Sequence, residues 1–127
     1  MVKQIAISQL KELKDLKDNY LIDVRTPEEW AVIGRPDGEA LGMKTHFVSY
    51  QFQQGDVRIL NPNFEKEMDH LNLDKSKKIF FICRSGQRSD KTAEIYEKKG
   101  FDTYNVSDGF YVDEVTPSWK VNKLPVK

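Results

Sequence analysis

The sequence predicts an α/β fold with a mainly parallel sheet. Short apolar runs typical of β-strands alternate along the chain with stretches of helical spacing. The run KIFFIC, at residues 78–83, is continuously apolar after its first residue, as is typical of a strand that is buried on both faces. No internal repeat, low-complexity tract or linker divides the 127 residues, so a single domain over residues 1–127 is expected.

Two strand–helix pairs are expected at the start of the chain. A strand at residues 4–7 is followed by Ser8, whose hydroxyl suits the cap of a helix over residues 8–16. The β-rich run at residues 20–24 is expected to form a buried strand. Thr26 then precedes a proline and two glutamates, which is typical of a helix N-terminus because acids stabilise the positive end of the helix dipole.

The middle of the chain has the least regular pattern. Within residues 34–62, we interpret residues 39–43 as one short strand. The aromatic stretch at residues 45–56 is compatible with either a helix or an ordered loop. A helix is expected over residues 61–73, because its apolar residues fall on one face.

The C-terminal part predicts a strand, a loop, a helix and a last strand. The strand ends at Cys83, and a helix follows over residues 89–100, where a glycine stops it. The last strand is expected at residues 102–106, with a loop over residues 107–115. A terminal helix is expected at residues 116–121.

Composition narrows the classes of partner. The chain has 20 basic and 20 acidic residues, so no overall field attracts nucleic acid or an anionic membrane, and neither partner is expected. No apolar run is long enough to span a bilayer. The first residues show no signal peptide, which favours a cytoplasmic location, or a periplasmic one if an export signal has been removed. The oligomeric state is left open.

Metal and disulfide chemistry are not indicated. One cysteine cannot form an internal disulfide. His46, His70 and that cysteine do not make a ligand cluster at metal spacing, so neither a metal nor another cofactor is expected.

The single cysteine, Cys83, is the main candidate for chemistry, as a catalytic nucleophile at the carboxyl end of a strand. A tight loop there can turn backbone N–H groups inward, and the following helix adds its dipole. Two arginines add positive charge, and all three features favour a thiolate. The simpler alternative is a small buried apolar residue at a strand end. The predicted active loop comprises Arg84, Ser85, Gly86, Gln87, Arg88 and Ser89.

Four other residues are expected near this loop. Asp23 ends a strand at the same sheet edge and is expected to accept hydrogen bonds from loop amides. Arg25 is expected to pair with one of the two nearby glutamates, Glu28 or Glu29. Phe110 and Tyr111 either wall the mouth of the pocket or fill the core.

Three stretches, YLIDVRTPEEW, FFICRSGQRSDKTAEIYEKKGF and YNVSDGF…WKVNKLPV, resemble the single-domain rhodanese-like sulfurtransferases. The resemblance implies a five-stranded, mainly parallel sheet with helices on both faces. It also implies transfer of a sulfane sulfur through a persulfide on Cys83. The donor would be thiosulfate or a persulfide, and the acceptor cyanide, a small thiol or a protein cysteine. The stretch GRPDGEALGM departs from the family pattern, because an arginine takes the place of the usual histidine.

Two alternatives remain open at this point. A cysteine phosphatase or arsenate reductase also uses a cysteine, a cradling loop and an arginine, but generally with five residues between the two. Here only four residues separate Cys83 from Arg88, which favours a cradle for one sulfur atom. The other alternative is a non-catalytic sulfur carrier or binding module on the same fold.

Overall fold

The structure is a computed structural model, and it describes residues 2–127. Except for three successive strands in the middle, its strands and helices alternate along the chain, as the sequence predicts. The strands are β1 (Lys3–Ile5), β2 (Tyr20–Asp23), β3 (Lys44–Phe47), β4 (Gln51–Gln54), β5 (Val57–Leu60), β6 (Lys78–Ile82) and β7 (Asp102–Val106). The α-helices are α1 (Ile7–Glu12), α2 (Pro27–Ile33), α3 (Phe64–Asp69) and α4 (Gln87–Lys98), and a 3-10 helix spans Gly38–Leu41.

Five of the strands form one parallel sheet in the order β1-β7-β6-β2-β3. The predicted five-stranded α/β fold is therefore confirmed. In the register of the two central strands, the last residue of β2, Asp23, lies opposite Ile82 at the end of β6. The residues that follow both strands consequently meet at the same edge of the sheet, and one of them is Cys83.

Helices cover both faces of the sheet. Side chains of β6 therefore alternate between two cores, one on each face. Phe80 and Ile82 pack on the face that carries α1, together with Trp119 from the C-terminal segment. Phe81 and Cys83 pack on the opposite face, against α3 and α4. The cysteine thus ends a strand that is buried on both sides, as its apolar run predicts.

The N-terminal prediction was wrong by a few residues. The first strand ends at Ile5 and the helix begins at Ile7, so Ser8 is not its cap. A distant carboxylate supplies the missing acceptor instead, since the N–H of Ile7 donates to Oδ2 of Asp108 over 2.8 Å. Such a long-range cap leaves no local signal in the sequence.

The middle of the chain also differs from the prediction. Residues 39–43 lie largely in the 3-10 helix, and the strand follows at Lys44–Phe47. Residues 51–60 form an antiparallel hairpin of β4 and β5, not a helix or a loop. Gly55, with φ of 61°, opens its two-residue turn, and glycine favours that conformation. The hairpin was missed because β5 buries none of its four side chains.

Two predicted helices are shorter or absent. The helix α3 spans Phe64–Asp69 instead of residues 61–73, although Phe64 and Met68 are buried as expected. Residues 116–118 are irregular and residues 119–123 form turns, and the ring N–H of the buried Trp119 donates to the carbonyl of Pro125 over 2.8 Å. This anchor fixes the segment, and the hydrogen bond from the N–H of Asn122 to the carbonyl of Ser118 is not continued into a helix. No helix within residues 2–127 has the length and apolar character that crossing a bilayer requires.

Candidate active site

Cys83 follows β6 directly and faces the loop that leads into α4. Its side chain is 1% exposed and forms no disulfide. The N–H of Gly86 donates to Sγ over 3.1 Å, and the hydroxyl oxygen of Ser89 lies 3.2 Å from the same sulfur. Although the thiol adjoins an apolar core, its polar contacts therefore come from the predicted loop. Such contacts stabilise negative charge on sulfur.

Asn105 on β7 holds two members of this loop in place. Its amide group donates to the carbonyl of Gly86 over 3.0 Å and to Oε1 of Gln4 over 2.8 Å. With both N–H bonds used in this way, its Oδ1 faces Ser89 Oγ at 2.6 Å. Ser89 has one proton and two neighbouring acceptors, Oδ1 and sulfur, so it can donate to only one of them at a time.

Two glycines allow the close packing of the loop. Gly86 has φ of 94°, and a Cβ there would stand 2.5 Å from the carbonyl oxygen of Ser107. Gly109 has φ of 72°, and a Cβ there would overlap the carbonyl of Arg84 and stand 2.7 Å from the amide nitrogen of Ser85. The segment after β7 therefore lies directly on the thiol loop and supports its shape.

Arg88 is tied to a carboxylate that the sequence did not link to it. Its two terminal nitrogens donate to both oxygens of Glu29, over 2.7 and 2.9 Å. Burial lowers the pKa of Arg88, but the hydrogen bonds and the negative charge of Glu29 outweigh this effect and raise it. Arg88 is consequently charged but paired, whereas Arg84 is exposed and its guanidinium has no ion-pair or hydrogen-bond partner within residues 2–127.

The prediction for Asp23 and Arg25 was wrong in its pairings. Arg25 does not pair with a glutamate; it folds back on Asp23, with its NH2 group 2.8 Å from Oδ2, and both side chains are fully buried. The carboxylate of Asp23 accepts bonds from the Arg25 backbone and guanidinium, not from amides of the thiol loop. Arg25 comes only two residues after Asp23, so its guanidinium reaches the carboxylate more easily than the amides of the thiol loop do.

Phe110 does not wall the mouth of a pocket, because its side chain is 0% exposed. Its N–H donates to the carbonyl of Cys83 over 2.8 Å, which turns the ring inward beneath Arg25, with the guanidinium carbon 4.2 Å from the ring centroid. Tyr111 is half-buried against the same core, with Lys120 5.1 Å from its ring centroid. Phe110 thus connects the Asp23–Arg25 pair to the thiol strand.

A cleft of about 400 Å³ lies beside the thiol loop. The hairpin forms one wall through Gln51 and Arg58, and the first turn of α4 forms the other. Cys83 does not itself line the cleft. The lining residues are Gln51, Arg58, Gln87, Arg88, Asp90 and Lys91.

The sequence did not indicate that three residues belong to this site: Asn105, Glu29 and Arg58. Glu29 had been placed correctly in the first turn of α2, where it completes a capping box with Thr26. Its partner Arg88 lies 59 residues away, and no periodicity reports such a pairing. The sequence indicated only that the segments after β2 and β6 lie at the same edge of the sheet.

The parallel sheet, with a lone cysteine in a tight loop between a central strand and a helix, defines an α/β domain with a candidate nucleophile at the carboxyl edge of its sheet. The family model for the rhodanese-like domain matches residues 6–112, and the chain belongs to that family. It is 36% identical to "Uncharacterized protein RP600" of Rickettsia prowazekii over 98% of this chain and 97% of that protein. It is 35% identical to "Putative sulfurtransferase YtwF" of Bacillus subtilis, over 85% of this chain and 86% of that protein. The crystal structure of Rv0390 from M. tuberculosis superposes with a TM-score of 0.79 at 30% identity, over 99% of this chain and 97% of that one.

Proposed function

We propose that this protein transfers a sulfane sulfur atom through a persulfide on Cys83. The observation that carries the proposal is the pair of contacts at the sulfur, from the Gly86 N–H and from the Ser89 hydroxyl. A purely structural cysteine needs neither contact. Membership of a family with sulfurtransferase-named members supports the same reaction class.

In the first step, the Cys83 thiolate attacks the outer sulfur of a donor such as thiosulfate or an organic persulfide. The new bond joins Sγ to that sulfur, and the old S–S bond breaks. Sulfite or a thiolate leaves with the electron pair, so the charges balance and no external oxidant or reductant is required. The first N–H groups of α4 have no acceptor within the helix, and we assign them to the anionic outer sulfur.

In the second step, an external nucleophile takes the outer sulfur and leaves the Cys83 thiolate. The chain has one cysteine, so no second thiol of its own can resolve the persulfide. Cyanide, a small thiol or a partner protein's cysteine can serve as acceptor. In this second step the persulfide brings the reactive atom nearer to the acceptor, because its S–S bond of about 2 Å extends beyond a side chain that is only 1% exposed.

The test is intact-protein mass spectrometry after incubation with each donor. Wild-type protein is expected to gain one sulfur atom and to lose it when a thiol or cyanide is added. Cys83→Ser is expected to gain none. A mass increase that persists in Cys83→Ser would contradict the assignment, as would wild-type protein that gains sulfur from none of the donors.

A further inference from the structure

The cleft beside the thiol loop carries little net charge despite its arginines. Three cations line it, namely Arg58, Arg88 and Lys91. Asp90 belongs to the same lining, and Glu29 lies immediately behind, 2.7 Å from Arg88 and 3.6 Å from Arg58. Three cations against two anions leave one positive charge.

The carboxylate of Glu29 is a fixed part of this arrangement. It accepts two hydrogen bonds from Arg88 and one from the N–H of Thr26, and its side chain is only 11% exposed. Burial raises the pKa of Glu29, but the Arg88 and Thr26 hydrogen bonds and the nearby arginine charges outweigh it and lower the pKa to about 2. Glu29 is therefore ionised throughout the physiological pH range.

We propose that Glu29 is a specificity-determining residue that makes the site prefer sulfur donors with one negative charge over donors with two. The inference rests on the sulfur transfer proposed above and names its donor class. An organic persulfide anion or a thiosulfonate has one charge, which the cleft can match. Thiosulfate has two, and the second charge is less well matched because the carboxylate of Glu29 already offsets one of the arginine charges.

Donors with one and with two negative charges react by the same chemistry, so the effect of donor charge can be tested alone. Methanethiosulfonate anion and thiosulfate each give the Cys83 persulfide by attack at the outer sulfur, with methanesulfinate or sulfite leaving with the electron pair. The quantity to measure is the ratio of their second-order rates of persulfide formation, thiosulfate over methanethiosulfonate, at equal ionic strength. Intrinsic donor reactivity cancels when variants are compared with wild type.

Glu29→Gln keeps an oxygen that can accept from Thr26 and Arg88 but leaves the arginine charge uncompensated. We expect it to raise this ratio about tenfold, the order of effect that one nearby charge has on binding an ion. Glu28→Gln is the matched control, because it makes the same chemical change at the neighbouring exposed position, and its ratio is expected to equal that of wild type. The double variant Glu29→Gln/Arg88→Gln restores the original net charge, so its ratio is expected to return to within about twofold of wild type.

A second route does not touch the ion pair. Gln51→Lys adds a cation on the opposite wall of the cleft, at a half-buried position, and is also expected to raise the ratio.

If Glu29→Gln leaves the ratio unchanged, or if Glu28→Gln raises it equally, the assignment to Glu29 is overturned while sulfur transfer stands. Should Glu29→Gln fail to fold, Gln51→Lys decides, and an unchanged ratio there overturns the charge argument. If neither donor loads Cys83 in wild-type protein, both proposals fail together.

Discussion

Ser89 holds its hydroxyl oxygen 3.2 Å from the sulfur of Cys83, in the first turn of the helix that follows the thiol loop. The single proton of this hydroxyl has a second acceptor, Oδ1 of Asn105, at 2.6 Å. When the sulfur is a neutral thiol, the hydroxyl can donate to Asn105 and accept from the thiol. When the sulfur is anionic, rotation of the same hydroxyl supplies a second donor beside the Gly86 N–H.

We therefore expect Ser89→Ala to slow persulfide formation on Cys83 about tenfold, because one hydrogen bond to the charged sulfur is lost. Rates are measured by mass spectrometry under single-turnover conditions and normalised to folded protein. Ser85→Ala is the matched control, since this loop serine is exposed, and its rate is expected to stay within about twofold of wild type. Equal losses in the two variants would show that Ser89 has no special role.

Gly109→Ala is expected to disrupt the support of the thiol loop. The new Cβ would overlap the carbonyl of Arg84, and the residue would also be forced to keep φ of 72°. We expect the free energy of unfolding to fall by about 3 kcal/mol, as measured by urea denaturation, and persulfide formation to slow. Gly55→Ala is the control for backbone strain alone, because φ is 61° there and no atom lies within 4 Å of the added Cβ. That variant should lose only about 1 kcal/mol, and equal losses would mean that the overlap does not matter.

Asp23→Asn is expected to cost about 3 kcal/mol of unfolding free energy, because it leaves the buried guanidinium of Arg25 without its counter-ion. Asp102→Asn gives a direct comparison. Its partner Lys3 is exposed, and loss of that surface pair should cost less than about 1 kcal/mol. Urea unfolding of both variants measures the difference. Similar values for the two would contradict the assignment of Asp23 as a buried charge partner.

The sequence was sufficient for β2, β6 and β7 because the relevant signals are local. The apolar run before Cys83 and the capping pattern at Thr26 each depend on a few adjacent residues, and the structure has a strand and a helix at those places. The hairpin at residues 51–60 gave no such signal. Its second strand exposes all four residues, including Val57 and Leu60, so the alternation that marks a half-buried strand is missing.

The site was predictable only as far as it is contiguous in sequence. Cys83 and the residues from Arg84 to Ser89 form one segment, and its residue types alone indicate a cradle for an anion. The links from Glu29 to Arg88 and from Asn105 to Ser89 join different elements. The spacing of apolar residues predicts which face of a helix or strand is buried. It does not predict which polar side chain of another element lies opposite that face. Long-range polar partners therefore require the structure.

The pairing of Glu29 with Arg88 predicts a defined dependence of stability on pH. The pKa of Glu29 is lowered in the folded protein from 4.5 to about 2, so its ionisation stabilises the fold above pH 4.5 and this contribution is lost as pH falls towards 2. The difference in unfolding free energy between wild type and Glu29→Gln should thus be constant near pH 7 and fall to roughly half by pH 3. Urea unfolding at a series of pH values measures this difference. Glu28→Gln, at the exposed neighbouring position, should differ from wild type by a small amount that does not follow the same curve. A difference for Glu29→Gln that stays flat from pH 7 to pH 3 would mean that the carboxylate gains no stabilisation from Arg88.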